Sequence, residues 1–521
     1  MIEEDLKIIP KPVKVSLIEG VFYLTQKTTI QVDLASTRNG EYLKQVLALL
    51  YGLNLDFEES SQDNERKNSI ILKTSNEKEL NNSEKYSLLV SRENIIISAP
   101  TSIGVFYGIQ TLLQLIHNKS LKGENISSGF SIPCVTIEDF PRFKWRGFML
   151  DEARHFFGKE VVKKILDIMA LLKLNTLHWH LTDDQGWRVE IKKYPLLTEI
   201  GSKREGTIIS QRFLRSNQKI KAPIDAIPVS GYYTQQDLRE LIQYATERFI
   251  TIIPELDFPG HTTAALAAYP DLSCTGRPFK VSTRFGIHKD VLCIGKEKVF
   301  EFIQNVLNEI IEIFPSNIIH IGGDEAPNRR WKKCLDCQAR IKDESLGSVD
   351  NLQVYFTNRI TDYLGYKGKR IIGWNEILND DLINNALCQY WINNFDKVLE
   401  HIRKGRQVVM SEMKALYFDY PYRLIPLHQT YNYDPIPSNL EEKFHKNILG
   451  LEACLWTEYV KNKDKLEWQT FPRLIAVAET GWTPKNKRNF ESFLSRLERF
   501  LPLLSALDVN YPKKEEFLHE Q

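Results

Sequence analysis

The chain has 521 residues, with 42% hydrophobic and 26% charged side chains, which is ordinary for a soluble globular protein and long enough for two domains. Its formal net charge is +1 and it has no long run of lysine or arginine, which argues against nucleic acid or an anionic membrane surface as a partner. No stretch approaches a membrane span, and the acidic N-terminus has no apolar signal segment. We therefore expect a cytoplasmic protein, or a secreted one if a signal peptide has been removed.

Residues 1–138 are predicted to form a small α+β domain. Apolar runs that predict short strands are "VSLIEGVFYL", "SIILKTS", "YSLLVS" and "NIIISAP". Apolar residues recur at helical spacing in "GEYLKQVLALLYGL" and "SIGVFYGIQTLLQLI". Two helices packed on one face of a sheet would bury both sets of apolar side chains.

Residues 139–521 are predicted to form an α/β domain, a (β/α)8 TIM barrel. Its eight apolar strands are "GFMLDEA", "NTLHWHL", "FITIIPEL", "NIIHIGGDEA", "RIIGWNEI", "ALCQYW", "QVVMSE" and "ILGLEACLW". Amphipathic helical patterns lie between most of them. Apolar strands alternating with such helices indicate parallel strands covered by helices, and a count of eight favours a closed barrel over an open sheet.

Three long irregular stretches follow the second, third and seventh predicted strands, at about 200–232, 260–295 and 413–447. In a barrel, these positions are loops of the C-terminal mouth. Loops of such length in a compact domain are usually functional or disordered, so we expect them to wall a pocket.

Polar and aromatic residues stand at the ends of the predicted strands, where this fold places catalytic groups. They are Asp151, Arg154, His178, His180, Asp183, Asp184, Glu255, Asp257, His261, His320, Asp324, Glu325, Trp374, Glu376, Trp391, Glu412, Tyr417, Asp419, Trp456 and Glu458. One tryptophan or carboxylate there would be ordinary core or a helix cap. Several aromatic rings and carboxylates together are typical of a sugar site, because rings stack on CH faces while carboxylates accept from hydroxyls.

Two adjacent carboxylates, Asp324 and Glu325, follow an apolar run and two glycines in "IIHIGGDEAP". Like charges in a confined site raise the pKa of one of them, and a raised pKa suits a general acid at neutral pH. Successive residues of a strand point to opposite sides, so this pair does not match the two facing carboxylates of a typical retaining glycosidase. We therefore expect the two carboxylates to have different roles.

Two patterns also suggest metal binding. "HWH" (His178 to His180) places two imidazoles on one side of a strand, as in metal-dependent barrel hydrolases, but no lysine ends the fourth strand and no metal-binding aspartate ends the eighth. We expect these histidines to be hydrogen-bonded supports. The chain has seven cysteines, which fits reduced thiols, and "CLDC" (Cys334 to Cys337) has metal-like spacing without a second pair, so we predict plain packing there.

Seven stretches resemble glycoside hydrolase family 20, the β-N-acetylhexosaminidases. They are "RGFMLDEARHFF", "LNTLHWHLTDDQGWR", "IPELDFPGHTTAAL", "HIGGDEAP", "GWNEI", "LYFDY" and "LEACLWTEY". They occur in the family's order and span nearly the whole predicted barrel, while residues 1–138 resemble the small non-catalytic domain that usually precedes it. The resemblance implies retaining hydrolysis in which the substrate's own 2-acetamido oxygen attacks C1 and forms an oxazolinium intermediate.

The resemblance also implies roles for individual residues. Glu325 would be the general acid and later activate water, Asp324 would orient the acetamido N–H and stabilise the developing positive charge, and Tyr417 would hydrogen-bond the acetamido carbonyl oxygen. Side chains that would bind the sugar are Trp374, Trp391, Trp456, Arg154, Glu458 and Asp419. Asp183 and His261, with Asp257 behind the latter, would form the polar network that tunes Glu325.

We accordingly expect an exo-acting β-N-acetylhexosaminidase for terminal GlcNAc and GalNAc of glycans, glycolipids or chitin oligomers, needing no metal or cofactor and acting as a monomer or homodimer. Two alternatives stay open at this point. A catalytically silent sugar-binding protein would keep the aromatic residues but would need no general acid. A metal-dependent barrel hydrolase would lose its activity to a chelator.

Overall fold

The computed structural model describes residues 6–59, 66–75, 83–120, 129–209, 223–382 and 386–519. Its strands are β1 Lys14–Leu24, β2 Thr29–Val32, β3 Asp56–Glu59, β4 Ser69–Thr74, β5 Tyr86–Val90, β6 Asn94–Ala99, β7 Phe130–Asp139, β8 Trp145–Asp151, β9 Thr176–Asp183, β10 Gly186–Trp187, β11 Lys203–Arg204, β12 Val229–Ser230, β13 Thr251–Leu256, β14 Ile318–His320, β15 Arg370–Trp374, β16 Leu387–Tyr390, β17 Val408–Met410 and β18 Ile448–Leu455. Its α-helices are α1 Thr37–Tyr51, α2 Ser102–Ser120, α3 Lys159–Leu171, α4 Leu196–Glu199, α5 Gln235–Thr246, α6 Thr263–Ala268, α7 Glu297–Ile313, α8 Leu335–Asp343, α9 Asn351–Tyr366, α10 Phe395–Arg403, α11 Met413–Leu416, α12 Leu427–Asn432, α13 Lys463–Thr470, α14 Arg473–Trp482, α15 Phe490–Ala506 and α16 Lys514–Leu518. Of the helices in these ranges, none combines the length and apolarity that a membrane crossing requires.

The N-terminal part is a seven-stranded mixed sheet in the order β1-β7-β5-β6-β4-β2-β3, and α1 and α2 pack against it. The four predicted strands and two predicted helices are present. The sequence analysis did not identify β2, β3 and β7. The first two have only four residues each, and β7 buries successive residues rather than alternate ones, so period-2 alternation was not visible.

The C-terminal part is the predicted closed barrel. Eight strands, β8, β9 and β13 to β18, are each parallel to the next, and β18 pairs with β8 from Gly450↔Trp145 to Leu455↔Leu150. β8 and β9 are buried along their whole length, as expected of strands covered on both faces. The barrel therefore gathers the carboxyl ends of eight strands at one mouth.

The fourth barrel strand is shorter than its apolar run suggested. β14 ends at His320, and Gly322 and Gly323 take positive φ angles of 65° and 95°. A Cβ on Gly322 would lie 1.9 Å from Oδ1 of Asp257, so only glycine permits this approach. Asp324 and Glu325 thus lie on a loop after the strand, and Glu325 itself has φ +46°. The alternation of strand faces does not apply to them.

The three long stretches predicted as mouth loops contain short elements. In the described part of the chain, the first contains the β11–β12 pair, the second contains α6, and the third contains α11 and α12. Residues 210–222 of the first loop lie outside the described residues.

A buried charged cluster joins the N-terminal sheet to the barrel. Asp139, the last residue of β7, accepts from the Nζ of Lys173 at 3.0 Å, from the hydroxyl of Tyr86 at 2.6 Å and from the indole of Trp482 at 3.0 Å. Lys173 is fully buried and its Nζ lies 4.5 Å from the ring centroid of Trp482. We refer to these four residues as the junction cluster.

Candidate active site

Aromatic side chains from four barrel strands form one wall of the mouth. Trp374 is the last residue of β15, Trp391 follows β16 and Trp456 follows β18. Tyr417 forms an isolated bridge with Cys454 of β18. The Trp391 and Tyr417 rings stack at 5.9 Å with an interplanar angle of 11°, and the Trp374 and Trp456 rings lie 5.7 Å apart. The structure thus brings together the predicted aromatic residues.

Carboxylates fix two of these rings by accepting from their indole N–H groups. The indole N–H of Trp374 donates to Glu255 at 2.9 Å, and that of Trp391 donates to both oxygens of Glu376 at 2.9 and 3.1 Å. Both carboxylates stood at predicted strand ends, but their indole partners could not be read from the sequence. These hydrogen bonds orient the rings before any ligand arrives.

The segment that carries Tyr417 and Asp419 is held by Arg473, a residue that sequence analysis missed. The fully buried guanidinium of Arg473 donates to the carbonyls of Phe418 at 2.6 Å and Tyr420 at 2.9 Å. A lone arginine on the outer helix α14 gives no sequence signal for such a role. Its contacts position the backbone on either side of Asp419.

Asp324 and Glu325 both lie beside the imidazole of His261. His261 Nε2 is 3.7 Å from Oδ2 of Asp324 and 3.5 Å from Oε2 of Glu325. The Asp324 side chain is 12% exposed and that of Glu325 is 32% exposed. The two neighbours therefore occupy different environments, one enclosed and one open towards solvent.

Asp324 is an electrostatically unusual carboxyl. Its Oδ1 is buried and has no hydrogen-bond partner among the described residues. Burial, with the nearby negative charges of Glu255 and Glu325, raises the pKa of Asp324 to about 6 although His261 opposes the shift. After burial, the charge of Asp324 contributes to the raised pKa values of Tyr417 and of Glu376, the carboxylate that holds Trp391.

His261 is in turn held by two further acids. Its Nδ1 lies 3.2 Å from Oδ1 of Asp183 and 3.2 Å from Oδ2 of Asp184. Burial opposes the positive charge of His261, but these acids and Glu325 outweigh it and hold the pKa of the imidazole well above its usual range. A cationic His261 therefore faces the adjacent acid pair.

Asp257, predicted to lie behind His261, does lie near that imidazole and near Asp324, and it makes a further contact with the backbone. Its Oδ1 accepts from the backbone N–H of Gly323 at 3.2 Å, so it holds the glycine turn that precedes Asp324. Burial and the charge of Asp324 raise its pKa well above the usual range. The hydrogen-bond partners of His261 Nδ1 are Asp183 and Asp184 rather than Asp257.

Arg154 closes the other side of the mouth. Its guanidinium pairs with Asp183 at 2.7 Å and Asp151 at 3.3 Å and lies 5.0 Å from the ring centroid of Trp456. Burial opposes its charge, but Asp183, Asp151 and Glu458 raise the pKa of Arg154. Glu458 is thus close enough to Arg154 to influence its charge.

Other acids at the mouth have raised pKa values. Burial and the charge of Glu458 raise the pKa of Asp419 to about 8, and burial with the charge of Asp324 raises that of Glu376 to about 7. Burial also raises the pKa of Glu458, although Arg154 opposes the shift. One oxygen of Asp419 is buried without a hydrogen-bond partner in the described part of the chain. The mouth therefore offers acceptors to ligand hydroxyls and N–H groups.

The histidines of the H-x-H pattern are hydrogen-bonded supports, as predicted. His180 uses one ring nitrogen on Glu255 and the other on Asp183. Burial opposes protonation of His178, but Glu452 and Glu255 raise its pKa to about 9, so this ring is cationic at neutral pH. Every ring nitrogen of these two histidines lies within 3.0 Å of a carboxylate oxygen.

A second cleft of about 950 Å³ lies at the opposite end of the barrel, where β8, β9, β13 and β14 begin. Among the described residues that line it, Glu84 is the one carboxylate, and it is paired with Arg146 at 2.6 Å. This face of a barrel serves stability rather than chemistry. The mouth is therefore the candidate active site.

Comparisons with known proteins identify the family of both parts of the chain. The profile of "Glycosyl hydrolase family 20, catalytic domain" matches residues 143–485, and that of "Glycosyl hydrolase family 20, domain 2" matches residues 5–140. A beta-hexosaminidase of Porphyromonas gingivalis is 38% identical over 523 residues, which covers 98% of this chain and 64% of the relative. The chain thus spans less than two thirds of that relative's length.

Two further proteins are similar over most of both chains. A beta-hexosaminidase of Vibrio furnissii is 33% identical over 497 residues, covering 92% of this chain and 77% of the relative. The crystal structure of a GH20 exo-beta-N-acetylglucosaminidase from Vibrio harveyi, in complex with N-acetylglucosamine, matches with a TM-score of 0.84 and 32% identity, covering 98% of this chain and 78% of that one.

Proposed function

Because this chain belongs to glycosyl hydrolase family 20, we propose that it is an exo-acting, retaining β-N-acetylhexosaminidase. Its substrates would be glycans, glycolipids or chitin oligomers with a terminal β-linked GlcNAc or GalNAc. The observation that carries the proposal is the enclosed Asp324, whose buried Oδ1 has no hydrogen-bond partner among the residues that the structure describes. A buried acceptor of this kind calls for a ligand N–H, which the 2-acetamido group supplies.

In the first step, the acetamido carbonyl oxygen attacks C1 while the bond from C1 to the leaving oxygen breaks. Glu325 gives its proton to the leaving oxygen, and the sugar becomes an oxazolinium ion. Asp324, as a carboxylate, accepts from the acetamido N–H and stabilises the positive charge as it develops. Tyr417 donates to the acetamido oxygen and holds it near C1.

In the second step, water attacks C1 and Glu325 takes the water's proton. The bond from C1 to the ring oxygen of the oxazolinium breaks, which restores the acetamido group and retains the β configuration. The greater exposure of Glu325 supports this role, because its carboxyl must meet both a leaving group and a water molecule. The enclosed Asp324 would contact only the sugar.

The surroundings of the pair support exo action. Trp374, Trp391 and Trp456 would enclose the acetamido group and the sugar face and exclude competing water. Arg154 follows β8 and Glu458 follows β18, and these two strands pair in the barrel. Both side chains would bind hydroxyls of the terminal sugar, so the glycan would not continue past them. Asp419 would accept from a further ring hydroxyl.

The two alternatives are less well supported. A sugar-binding protein without activity needs neither Glu325 at 3.5 Å from His261 nor the charges behind that imidazole. In a metal-dependent hydrolase, a metal ion would have to replace the contacts that the ring nitrogens of His178 and His180 make with carboxylates. A chelator added immediately before the assay distinguishes the two hypotheses. A metal-dependent hydrolase would lose its initial rate, whereas we expect the initial rate to stay unchanged.

The test is the initial rate on an aryl N-acetyl-β-glucosaminide and on the matching aryl β-glucoside, which carries a hydroxyl at C2. We expect the glucoside to be essentially untouched, because the acetamido group is the nucleophile. Comparable rates on the two substrates would show that the protein supplies its own nucleophile and would refute the mechanism. Inhibition by a thiazoline, the stable sulfur analogue of the oxazoline, provides an independent check.

A further inference from the structure

Four of the seven cysteines come together outside the candidate active site. Cys274 and Cys293 lie on the loop between β13 and α7, and Cys334 and Cys337 lie at the start of α8. Their four sulfur atoms all lie within 4.8 Å of one another. Cys293, Cys334 and Cys337 are buried and Cys274 is partly buried. The second cysteine pair that "CLDC" lacked in sequence is therefore present in space.

The sulfur spacing is that of a tetrahedral metal site. Cys293 Sγ is 3.6 Å from Cys334 Sγ and 3.7 Å from Cys337 Sγ, and Cys274 Sγ is 3.9 Å from Cys337 Sγ. Four thiolates around one ion, with metal–sulfur bonds of about 2.3 Å, lie about 3.8 Å apart along each tetrahedral edge. A disulfide requires about 2.05 Å, and all four cysteines are free in the structure.

The backbone brings the two pairs together through specific contacts. An antiparallel bridge between Ser273 and Leu292 places Cys274 beside Cys293, whose N–H donates to the carbonyl of Leu272 at 2.9 Å. The indole N–H of Trp331 donates to the Leu292 carbonyl at 2.8 Å and so ties the CLDC segment to this loop. Backbone and side-chain hydrogen bonds therefore position both pairs of cysteines.

Gly295 makes the close approach possible. A Cβ on Gly295 would lie 2.2 Å from the carbonyl carbon of Asp336 and 2.3 Å from the backbone nitrogen of Cys337. Only glycine lets the loop after Cys293 pack directly on the first turn of α8. The N-terminal end of a helix also favours negative charge, such as that of a thiolate.

The other three cysteines provide a contrast. Cys134, Cys388 and Cys454 are buried on strands β7, β16 and β18, and none of them belongs to a cluster of potential metal ligands among the described residues. They are the isolated packing residues that the sequence predicted for "CLDC" as well. The gap from Cys274 to Cys293 conceals the second pair, because it matches no short metal-binding motif.

We propose that Cys274, Cys293, Cys334 and Cys337 bind one structural zinc ion. Four protein thiolates complete a tetrahedron and leave no open position, which defines a structural rather than a catalytic site. Soft thiolate ligands in this geometry select zinc over magnesium or calcium. Each thiol releases its proton to solvent on binding, and no oxidation or reduction takes place.

The position of the site gives the ion a function. The loop from β13 to α7 carries His261, and the segment from β14 to α8 carries Asp324 and Glu325. The ion would link these two segments at cysteines that follow His261 in the first segment and the acid pair in the second. It would keep His261 in position beside the acid pair without contacting the sugar.

The first experiment measures metal content by elemental analysis of the full chain, purified without chelator. We expect about one zinc ion per chain, released when a thiol-specific reagent is added. We expect the double variant Cys334→Ser, Cys337→Ser to lose the zinc, while the matched controls Cys134→Ala and Cys388→Ala keep it. Zinc-free wild-type protein, or one equivalent of iron in place of zinc, would overturn the assignment.

A second measurement remains decisive if the double variant does not fold. Wild-type protein exchanged into Co²⁺ should show the intense thiolate-to-cobalt absorption of a tetrahedral site, and Cys274→Ser, which alters the least buried ligand, should weaken it. Absence of this absorption would refute the site. Intact mass without reductant provides a further test, because a mass lower by two hydrogens would identify a disulfide and contradict the proposal.

The zinc test is independent of the proposed activity. Prolonged chelation should lower the Tm by several degrees, because removing a bound ion removes its stabilisation of the folded state. Brief chelation well below the Tm should leave the initial rate unchanged, because the ion does not touch the substrate. Loss of zinc without any change in Tm would refute a structural role.

Discussion

Two clusters of buried charge in this protein are organised in opposite ways. In the junction cluster, both oxygens of Asp139 have partners, namely Lys173, Tyr86, Trp482 and the N–H of Val13. At the mouth, Asp324 keeps one buried oxygen without a hydrogen-bond partner in the described part of the chain. The first arrangement is complete without a ligand, whereas the second is completed by one.

The pKa values show the same contrast. Burial and neighbouring acids raise the pKa of Asp324 to about 6 and of Asp419 to about 8. Lys173 stays fully buried because Asp139 is its counter-ion, although burial lowers the pKa of its amine. At Asp324, burial and the neighbouring acids outweigh the nearby His261, and such an enclosed acid reduces stability in the free protein and provides binding energy in the complex. Separate variants in the two clusters test this difference.

The largest effect is expected for Glu325→Gln. Turnover of a disaccharide with a poor leaving group should fall by roughly 10²–10⁴-fold, because a general acid is lost. An aryl substrate whose leaving group needs little protonation should lose much less. The measurement is kcat on both substrates, with Glu240→Gln on the outer helix α5 as control. An unchanged kcat on the disaccharide would show that Glu325 is not the acid.

Asp324→Asn should lower kcat and kcat/KM together by roughly 10²–10³-fold, because its contact strengthens in the transition state. It should also stabilise the free protein. A pKa raised from 3.8 to about 6 means that stability is fully present below pH 3.8 and falls as pH rises through 6, by about 3 kcal/mol. The variant's advantage in Tm should therefore grow between pH 4 and pH 6. A variant less stable than wild type at pH 8 would show that the enclosed charge of Asp324 does not reduce stability.

Asp139→Asn should lower the stability of the protein and leave its activity unchanged, which is the reverse of the effect of Asp324→Asn. It leaves Lys173 buried without its counter-ion and should cost about 3–5 kcal/mol of stability, while kcat measured well below the Tm stays unchanged. The double variant Asp139→Asn, Lys173→Met should recover part of the loss, because no charge remains buried. Thermal melts of the three proteins give the comparison, and a single variant as stable as wild type would refute it.

The smallest effect is a shift in the pH profile. If ionised Asp324 is required, kcat/KM should fall about tenfold per pH unit below an apparent pKa near 6. Glu325→Gln removes one of the negative charges that raise this pKa, so the acidic limb measured on the activated aryl substrate should move to lower pH. An acidic limb at unchanged pH would show that the observed titration is not that of Asp324.

The sequence was sufficient for the barrel because long apolar strands and amphipathic helices alternate regularly along it. It was insufficient where single residues act across large separations. The arginine that holds the Tyr417 segment, Arg473, lies on an outer helix, and Glu376 becomes a partner of Trp391 only when β15 and β16 pair. The two halves of the cysteine cluster are likewise joined by loop packing rather than by a motif.

The loop containing the acid pair was also misread in one respect. Apolar character continues through Ile321, but the strand ends at His320 because the glycines turn the backbone into the left-handed region. That turn requires Asp257 at its back, a contact between residues 66 positions apart. A pattern of residue types along one segment carries no information about such a contact.

The left-handed backbone at Glu325 has a consequence for laboratory evolution. Glu325 and His261, which face each other, have φ angles of 46° and 48°, a conformation that costs non-glycine residues roughly 1–2 kcal/mol each. A selection for heat resistance alone should therefore enrich glycine or asparagine at these two positions. A selection that also demands turnover should remove those same substitutions.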